Sequence, residues 1–221
     1  MARGRVLTAL PGPAFEGVGS DERRTRYGER VVYDVSGGGA APLAVEGSYV
    51  AFMTATPGTA YALSGATQTA WVATTPTVLI DNTGTSKSFV PDFISIAYTT
   101  AGVAGTRVEV AAVLDTNGPR YSSGGTVLVD AATNGSAVPT DALVVYGGAI
   151  TALAAVSPTY VARGTVSASI PAIGETYQLE FGNAIPGSKA DKILRLPPIV
   201  VPPDASLLIY TWSPSQSTAP T

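Results

Sequence analysis

The segment SLLIYTW (206–212), close to the C-terminal end of the 221-residue chain, does most to decide the expected fold. Alternate side chains of a β-strand point to opposite faces of its sheet. One face therefore carries Leu207, Ile209 and Thr211, and the other carries Leu208, Tyr210 and Trp212. Both faces are apolar, which predicts a central strand between an opposing sheet and a neighbouring subunit. This interpretation assigns Tyr210 and Trp212 to an interface.

The residues before this segment indicate where its strand pairing begins. Pro202 and Pro203 have no backbone N–H to donate to a ladder, so pairing is expected only after Asp204. The segment TYQLEFG (176–182) is the expected antiparallel neighbour.

Ten further segments are short runs of β-branched and aromatic residues bounded by turn residues, which is typical of strands. They are YVAFMTA (49–55), TAYAL (59–63), TAWVAT (69–74), TVLIDN (77–82), DFISIAYT (92–99), RVEVAAVL (107–114), TVLVDA (126–131), ALVVYG (142–147), GTVSASI (164–170) and TYQLEFG (176–182). Period-two alternation in DFISIAYT and RVEVAAVL predicts half-buried antiparallel strands. The dipeptides Asn117-Gly118, Asn134-Gly135 and Gly124-Gly125 indicate turns with positive φ.

These patterns predict an all-β fold. The Ala-rich stretch 141–158 is the best helical candidate, but Gly147-Gly148 interrupts it. Many short strands with frequent turns indicate an antiparallel β-sandwich over residues 39–221, as a single domain. Long or proline-rich connections near 70–75 and 183–205 favour a jelly-roll-like arrangement.

Residues 1–38 differ from the rest of the chain in charge, and we interpret them as an extended N-terminal arm. A loose terminal tail is the alternative. Six arginines of the arm are interpreted as a protein interface, because Asp21, Glu22 and Glu29 offset most of their charge and Arg pairs well with carboxylates. They are Arg3, Arg5, Arg23, Arg24, Arg26 and Arg30.

The composition excludes several kinds of chemistry. The chain has no Cys and no His, which removes disulfides, thiolate nucleophiles, zinc–cysteine sites and Ser-His-Asp triads. Only 13% of its residues are charged and the net charge is −3, so direct nucleic-acid binding through many phosphate contacts is not expected. Apolar runs fall short of the roughly 18–20 residues that span a bilayer, so no membrane association is expected.

The remaining residues that could bind a metal or catalyse hydrolysis fit such a site poorly. Asp81-Asn82-Thr83-Gly84 and Asp115-Thr116-Asn117-Gly118 contain ligands that Ca²⁺ prefers, but neither has a 12-residue loop with a closing Glu, and turns between strands are the favoured interpretation. Glu175 and Glu180 lie five residues apart, so they point to opposite faces rather than forming a glycosidase pair. The three lysines lie in polar, loop-like stretches, which disfavours a Ser–Lys dyad. We expect no catalytic residue, cofactor or metal.

Two segments carry a resemblance to a known group of proteins: LIDNTG (79–84) and VVPPDASLLIYTW (200–212). They resemble phrases in virion structural proteins of tailed bacteriophages, and the resemblance extends over about residues 45–215. It implies a non-enzymatic, jelly-roll-like decoration or minor capsid protein on the capsid surface, assembled in the host cytoplasm. The implied partners are the major capsid protein or other virion proteins.

Low charge and only three lysines also predict covered strand edges, and therefore a homo-oligomer, with a trimer preferred to a dimer. The alternative function is a head-fibre or receptor-binding module that recognises host glycan. Such a module should expose a Tyr/Trp patch near acidic and amide side chains at one end of the sandwich.

Overall fold

The computed structural model describes residues 47–53, 70–84, 86–97, 108–137, 141–147, 150–167, 174–182, 189–190 and 192–214. Over these residues the chain is all-β and contains no helix, as predicted. The strands are β1 (Val50–Met53), β2 (Val78–Asn82), β3 (Phe93–Ala97), β4 (Val108–Asp115), β5 (Tyr121–Ser123), β6 (Thr126–Val127), β7 (Val129–Ala132), β8 (Ala142–Tyr146), β9 (Thr151–Ala152), β10 (Pro158–Ser167), β11 (Thr176–Phe181), β12 (Lys189–Ala190), β13 (Ile193–Leu196) and β14 (Ala205–Trp212).

Two sheets form the body of the fold. The larger has six strands in the order β10-β4-β14-β2-β8-β6, and all its pairs are antiparallel. The smaller has four strands in the order β12-β13-β11-β3, with one parallel pair between β11 and β13. Two short two-stranded sheets pair β5 with β9 and β1 with β7.

The inner faces of the two large sheets bury one hydrophobic core between them. Val78 and Val110 from the six-stranded sheet, and Leu179 and Leu194 from the four-stranded sheet, belong to the same buried cluster. Ile94 and Ile96 of β3 pack against it. Two antiparallel-rich sheets with a shared apolar interior make a β-sandwich, which confirms the predicted fold class. Jelly-roll connectivity stays a prediction.

The central position predicted for SLLIYTW is confirmed. Strand β14 begins at Ala205 and lies between β4 and β2, with Leu208 opposite Val113 on one side and Leu79 on the other. The predicted neighbour was wrong: TYQLEFG forms β11, which pairs with β3 and β13 in the other sheet. Its side chains alternate between buried and less buried positions, because only its inner face meets the core.

The second face of β14 is covered by other parts of the same chain, whereas the sequence favoured a neighbouring subunit there. Leu208, Tyr210 and Trp212 are buried by the chain itself, in a second apolar cluster that includes Ile150 and Ala152. The same cover explains a further difference. Strand β4 is buried on both faces rather than half-buried, whereas β3 alternates as predicted.

The remaining predicted strands were confirmed only in part. TVLIDN, ALVVYG and part of YVAFMTA are strands, but TVLVDA divides into β6 and β7. TAWVAT was wrong over its described part, where the N–H of Thr75 donates to the carbonyl of Val72 at 3.2 Å in a turn. TAYAL and the arm at 1–38 lie outside the described residues.

The turn at Gly124-Gly125 shows why glycine is needed there. Both residues have positive φ, near +77° and +72°. A Cβ on Gly125 would come within 2.6 Å of the side chains of Ile150 and Val145. Any larger residue would therefore be strained in its backbone and would displace the cluster that covers β14.

The chain divides into two compact units. The smaller comprises Met1–Ala51 with Ala131–Pro139, and within it the N–H and hydroxyl of Thr133 both donate to the carbonyl of Tyr49, at 3.1 and 3.2 Å. The larger comprises Phe52–Asp130 with Thr140–Thr221 and contains both large sheets. The predicted boundary between residues 38 and 39 lies outside the described residues.

Candidate functional site

The outer face of the six-stranded sheet is covered by loops that are hydrogen-bonded to one another. The N–H of Ala152 donates to the carbonyl of Thr74 at 2.8 Å, which joins the β9 region to the loop before β2. Beneath them lie apolar side chains of β2, β4, β8 and β14, including Leu79, Val113 and Val145. The candidate site combines a side chain of these loops with side chains of β10, the edge strand of the same sheet.

A buried polar cluster fixes the loops to the sheet. Strand pairing places Ser206 opposite both Asp81 and Asp115, and all three are buried. Asp81 accepts the N–H of Arg120 at 3.1 Å and that of Tyr121 at 2.6 Å. The N–H of Arg120 also donates to Ser206 Oγ at 2.9 Å. Residues of β2 and β14 therefore supply acceptors for the backbone at the start of β5, which ties the small β5–β9 sheet to the larger sheet.

Asp115 anchors a second loop, the one before β10, by accepting its backbone N–H groups. It accepts the N–H groups of Asn117, Val156 and Ser157 at 3.0–3.1 Å. Hydrogen bonds to a charged acceptor are roughly twice as strong as neutral ones. The loop before β10 is therefore held firmly on the end of β4.

Arg120 connects these loops through its side chain. Its guanidinium donates to the carbonyl of Leu153 through Nε at 3.0 Å and through Nη2 at 2.6 Å, and to that of Ala73 at 3.4 Å. Its Nε lies 3.7 Å from Asp115 Oδ2. Arg120 is only 2% exposed, so the cluster is a structural anchor rather than a surface for a ligand.

The two stretches considered for calcium thus meet at one place, but their chemistry differs from that of a cation site. The oxygens of Asp81 and Asp115 accept backbone N–H groups, and the side-chain amide of Asn82 donates to the carbonyls of Lys87, Val201 and Pro202. Among the described residues, no group of three or more acidic side chains is placed to hold a metal ion.

The carboxylates considered for a hydrolase have basic or hydroxyl partners. Glu175 accepts the hydroxyl of Tyr177 at 2.7 Å and pairs with Lys192 at 2.8 Å. Glu180 lies 3.7 Å from Nε of Arg195. Lys192 is held above the Tyr177 ring, and its hydrogen bond to Glu175 raises the pKa of its ammonium group.

Two exposed rings lie on the outer face of the six-stranded sheet. Trp71, in the loop before β2, contacts Tyr160 of β10 with ring centroids 6.1 Å apart and planes tilted by 54°. We call these two residues the aromatic patch. Trp71 is 38% exposed and Tyr160 is 63% exposed. Buried Tyr210 supports Trp71 from below, with centroids 5.7 Å apart.

Tyr210 also holds the loop that carries Trp71. Its hydroxyl donates to the carbonyl of Ala73 at 2.7 Å, two residues beyond the tryptophan. Burial raises the pKa of Tyr210, because the phenolate would be desolvated there. The phenol therefore stays protonated and keeps donating to the loop over a wider pH range than an exposed tyrosine would.

An ion pair borders the aromatic patch on the same face. Nη2 of Arg163 lies 2.8 Å from Oε2 of Glu109, and the guanidinium lies 5.6 Å from the centre of the Trp212 ring. The side chain of Arg163 is 73% exposed, whereas that of Glu109 is 7% exposed. The carboxylate and the indole thus hold an exposed guanidinium in one orientation.

Three further exposed apolar residues lie in or near the segments that carry Phe89, β3 and Val201. Phe89 and Val201 pair through two backbone hydrogen bonds of 2.8–2.9 Å, and both pack towards the core. Their neighbours Val90 and Val200 are 62% and 51% exposed. Phe93, on the open face of β3, is 55% exposed. We call Val90, Phe93 and Val200 the valine–phenylalanine group.

Of the eight residues that the sequence assigned to an interface, the structure describes two, Tyr210 and Trp212. Tyr210 and Trp212 lie on one face of β14 and are 3% and 7% exposed, so little of either is open, and their assignment to an interface stays a prediction. The six arginines assigned to the interface lie outside the described residues. They are Arg3, Arg5, Arg23, Arg24, Arg26 and Arg30.

Sequence reasoning favoured a core position for Trp71 and did not single out Tyr160, Arg163 or Arg120. Trp71 was placed in a strand, where an aromatic ring reads as core. The run TYVARGTV (159–166) has the β-branched and aromatic content of a strand and could have located Tyr160 and Arg163. No local signal identifies Arg120, because its five partners, from Ala73 to Ser206, are spread along the chain.

The chain matches no protein-family model, no curated protein and no solved structure. None of the described residues forms a helix long and apolar enough to cross a membrane.

Proposed function

We propose that this protein is a non-enzymatic structural protein of a tailed-phage virion, which decorates or stabilises the capsid by packing against other proteins. The observation that carries the proposal is the exposure of eleven large hydrophobic side chains among the described residues, in a chain with only 13% charged residues. Large apolar side chains that stay exposed are available to pack against a partner. A charge-poor surface of this kind suits burial in an assembly.

The use of the buried polar groups supports the same function. Asp81, Asp115 and Arg120 bind backbone atoms of the covering loops, and this gives the loops a fixed shape. A packing protein needs such rigidity, because each contact must repeat from copy to copy.

The proposed partners are the major capsid protein or other virion proteins, and further copies of this chain, with a trimer as the preferred state. A jelly-roll connectivity and a place on the capsid surface belong to the same proposal. The N-terminal arginines would pair with carboxylates of the partner. The resemblance of LIDNTG and VVPPDASLLIYTW to phage virion proteins supports this assignment.

Self-association is tested by the mass of the full chain in solution at micromolar concentration. We expect a multiple of 22.4 kDa, and a lower mass for the double variant Phe93→Ser with Val200→Ser. The control Ser95→Ala changes an exposed residue on the same face of β3 and should leave the mass unchanged. A monomer in all three proteins would contradict packing between copies.

A further inference from the structure

We propose that Trp71 and Tyr160 form a platform for a pyranose ring of a glycan, with Arg163 supplying hydrogen bonds at its border. This binding activity goes beyond packing in a virion and does not depend on it. The residues that carry it lie on the outer face of the six-stranded sheet, whereas Phe93 lies on the open face of β3 in the other sheet.

The platform is held rigidly. Trp71 rests on the buried ring of Tyr210, whose hydroxyl donates to the carbonyl of Ala73 in the same loop. Arg120 donates to that carbonyl too, and Ala152 donates to Thr74. A ring positioned before the ligand arrives spares the ligand the entropy cost of ordering it.

The chemistry of the two rings suits a sugar. A pyranose has an apolar C–H face, whose slightly positive hydrogens are attracted to the negative face of an aromatic ring. Its hydroxyl groups then need polar partners at the edge of the platform. Ligand sites typically combine apolar and aromatic surface with a few placed polar groups. The Trp71–Tyr160 pair supplies the aromatic surface, and Arg163 supplies a polar group at its edge.

The spacing of these groups matches one sugar unit. On β10, Tyr160 lies opposite Val113 and Arg163 lies opposite Ala111. The two positions are two residues apart on β4, or about 7 Å along the strand. Glu109 and Trp212 hold the guanidinium towards one side while most of it stays exposed. A ring stacked on the platform can thus reach Arg163.

The open area of the two aromatic residues suits a sugar. Their exposed fractions of 38% and 63% leave on the order of 200 Å² accessible. This area matches the footprint of one or two sugar units.

The test uses the full chain and a panel of soluble oligosaccharides: lactose, maltotriose, chitotriose and sialyllactose. Binding is measured by isothermal titration calorimetry and by the emission of Trp71. The chain has two tryptophans, so a Trp212→Phe variant assigns the emission change. We expect at least one oligosaccharide to bind, and Trp71→Ala and Tyr160→Ala each to weaken its binding about tenfold or more. Arg163→Ala should weaken it less.

The matched control is Phe93→Ala, which removes an exposed ring from the opposite outer face and should leave sugar binding unchanged. Thermal unfolding of every variant identifies any that fails to fold, and Tyr160→Ser provides a second variant at an exposed position. The proposal is overturned if no member of the panel binds at about 10 mM. It is also overturned if Trp71→Ala lowers the mass in solution while wild-type protein binds no sugar, since the patch would then be a protein contact.

Discussion

Strands β14 and β3 carry similar apolar residues but differ in what covers them. All eight residues of β14 are buried, since the four-stranded sheet covers one face and the chain's own loops cover the other. In β3 the side chains alternate, with Ile94 and Ile96 against the core and Phe93 open. A sequence that is apolar on both faces indicates a second cover, but it does not say whether that cover is a loop or another subunit.

The largest effect is expected where the cover of β14 is anchored. Asp115→Ala leaves three backbone N–H groups without their acceptor and removes the carboxylate beside the buried Arg120. Breaking such a buried arrangement should lower the free energy of unfolding by about 3–5 kcal/mol. Denaturant unfolding measures this, with exposed Asp130→Ala as the control. Equal stability of the two variants would mean that the loops are not anchored by Asp115.

Truncation within β14 should cost nearly as much. Leu208 is fully buried between Leu79 and Val113, so Leu208→Ala should lower the free energy of unfolding by about 2–5 kcal/mol. A loss below about 1 kcal/mol in denaturant unfolding would show that the strand is peripheral and that its loop cover is loose.

Tyr210 connects the cover to the strand by one hydrogen bond, and Tyr210→Phe should cost about 0.5–1.5 kcal/mol at neutral pH. The pKa of Tyr210 is raised in the folded state. The contribution of Tyr210 to the free energy of unfolding is therefore complete below the pKa of an unfolded tyrosine, and it is lost as the pH rises through the raised value. The stability difference between wild type and Tyr210→Phe should therefore shrink above about pH 10. A difference that stays constant or grows with pH would contradict this.

The smallest effect is expected on the open face of β3. Phe93→Ser should change the free energy of unfolding by less than about 0.5 kcal/mol, because the side chain is more than half exposed. Ile96→Ser, on the inner face of the same strand, is the comparison and should cost clearly more. Equal costs in denaturant unfolding would show that β3 is covered on both sides.

The sequence was sufficient for the fold class and for the centre of the larger sheet, because both depend on local periodicity. SLLIYTW and TVLIDN were identified as strands, and their pairing begins where Pro202 and Pro203 allow it. The partners of TYQLEFG were not predictable, since nothing local distinguishes one sheet from the other. The anchor around Arg120 needs side chains and carbonyls from distant segments, which only the folded chain brings together.

The same limit applies to the aromatic patch. Trp71 and Tyr160 are 89 positions apart in the sequence, and aromatic residues are usually core in a sandwich. Trp71 precedes the turn at 72–75 rather than belonging to a strand, and its ring packs on that of Tyr210. Residue types alone therefore favoured an apolar core position at Trp71.

Under the proposed function a tailed phage encodes this chain, and the copy number of the chain in purified particles of that phage is the most direct test. Quantitative mass spectrometry of washed particles should find the protein at a fixed, stoichiometric ratio to the major capsid protein. Its absence from the particles, while it accumulates as free protein in the infected cell, would contradict a structural role in the virion.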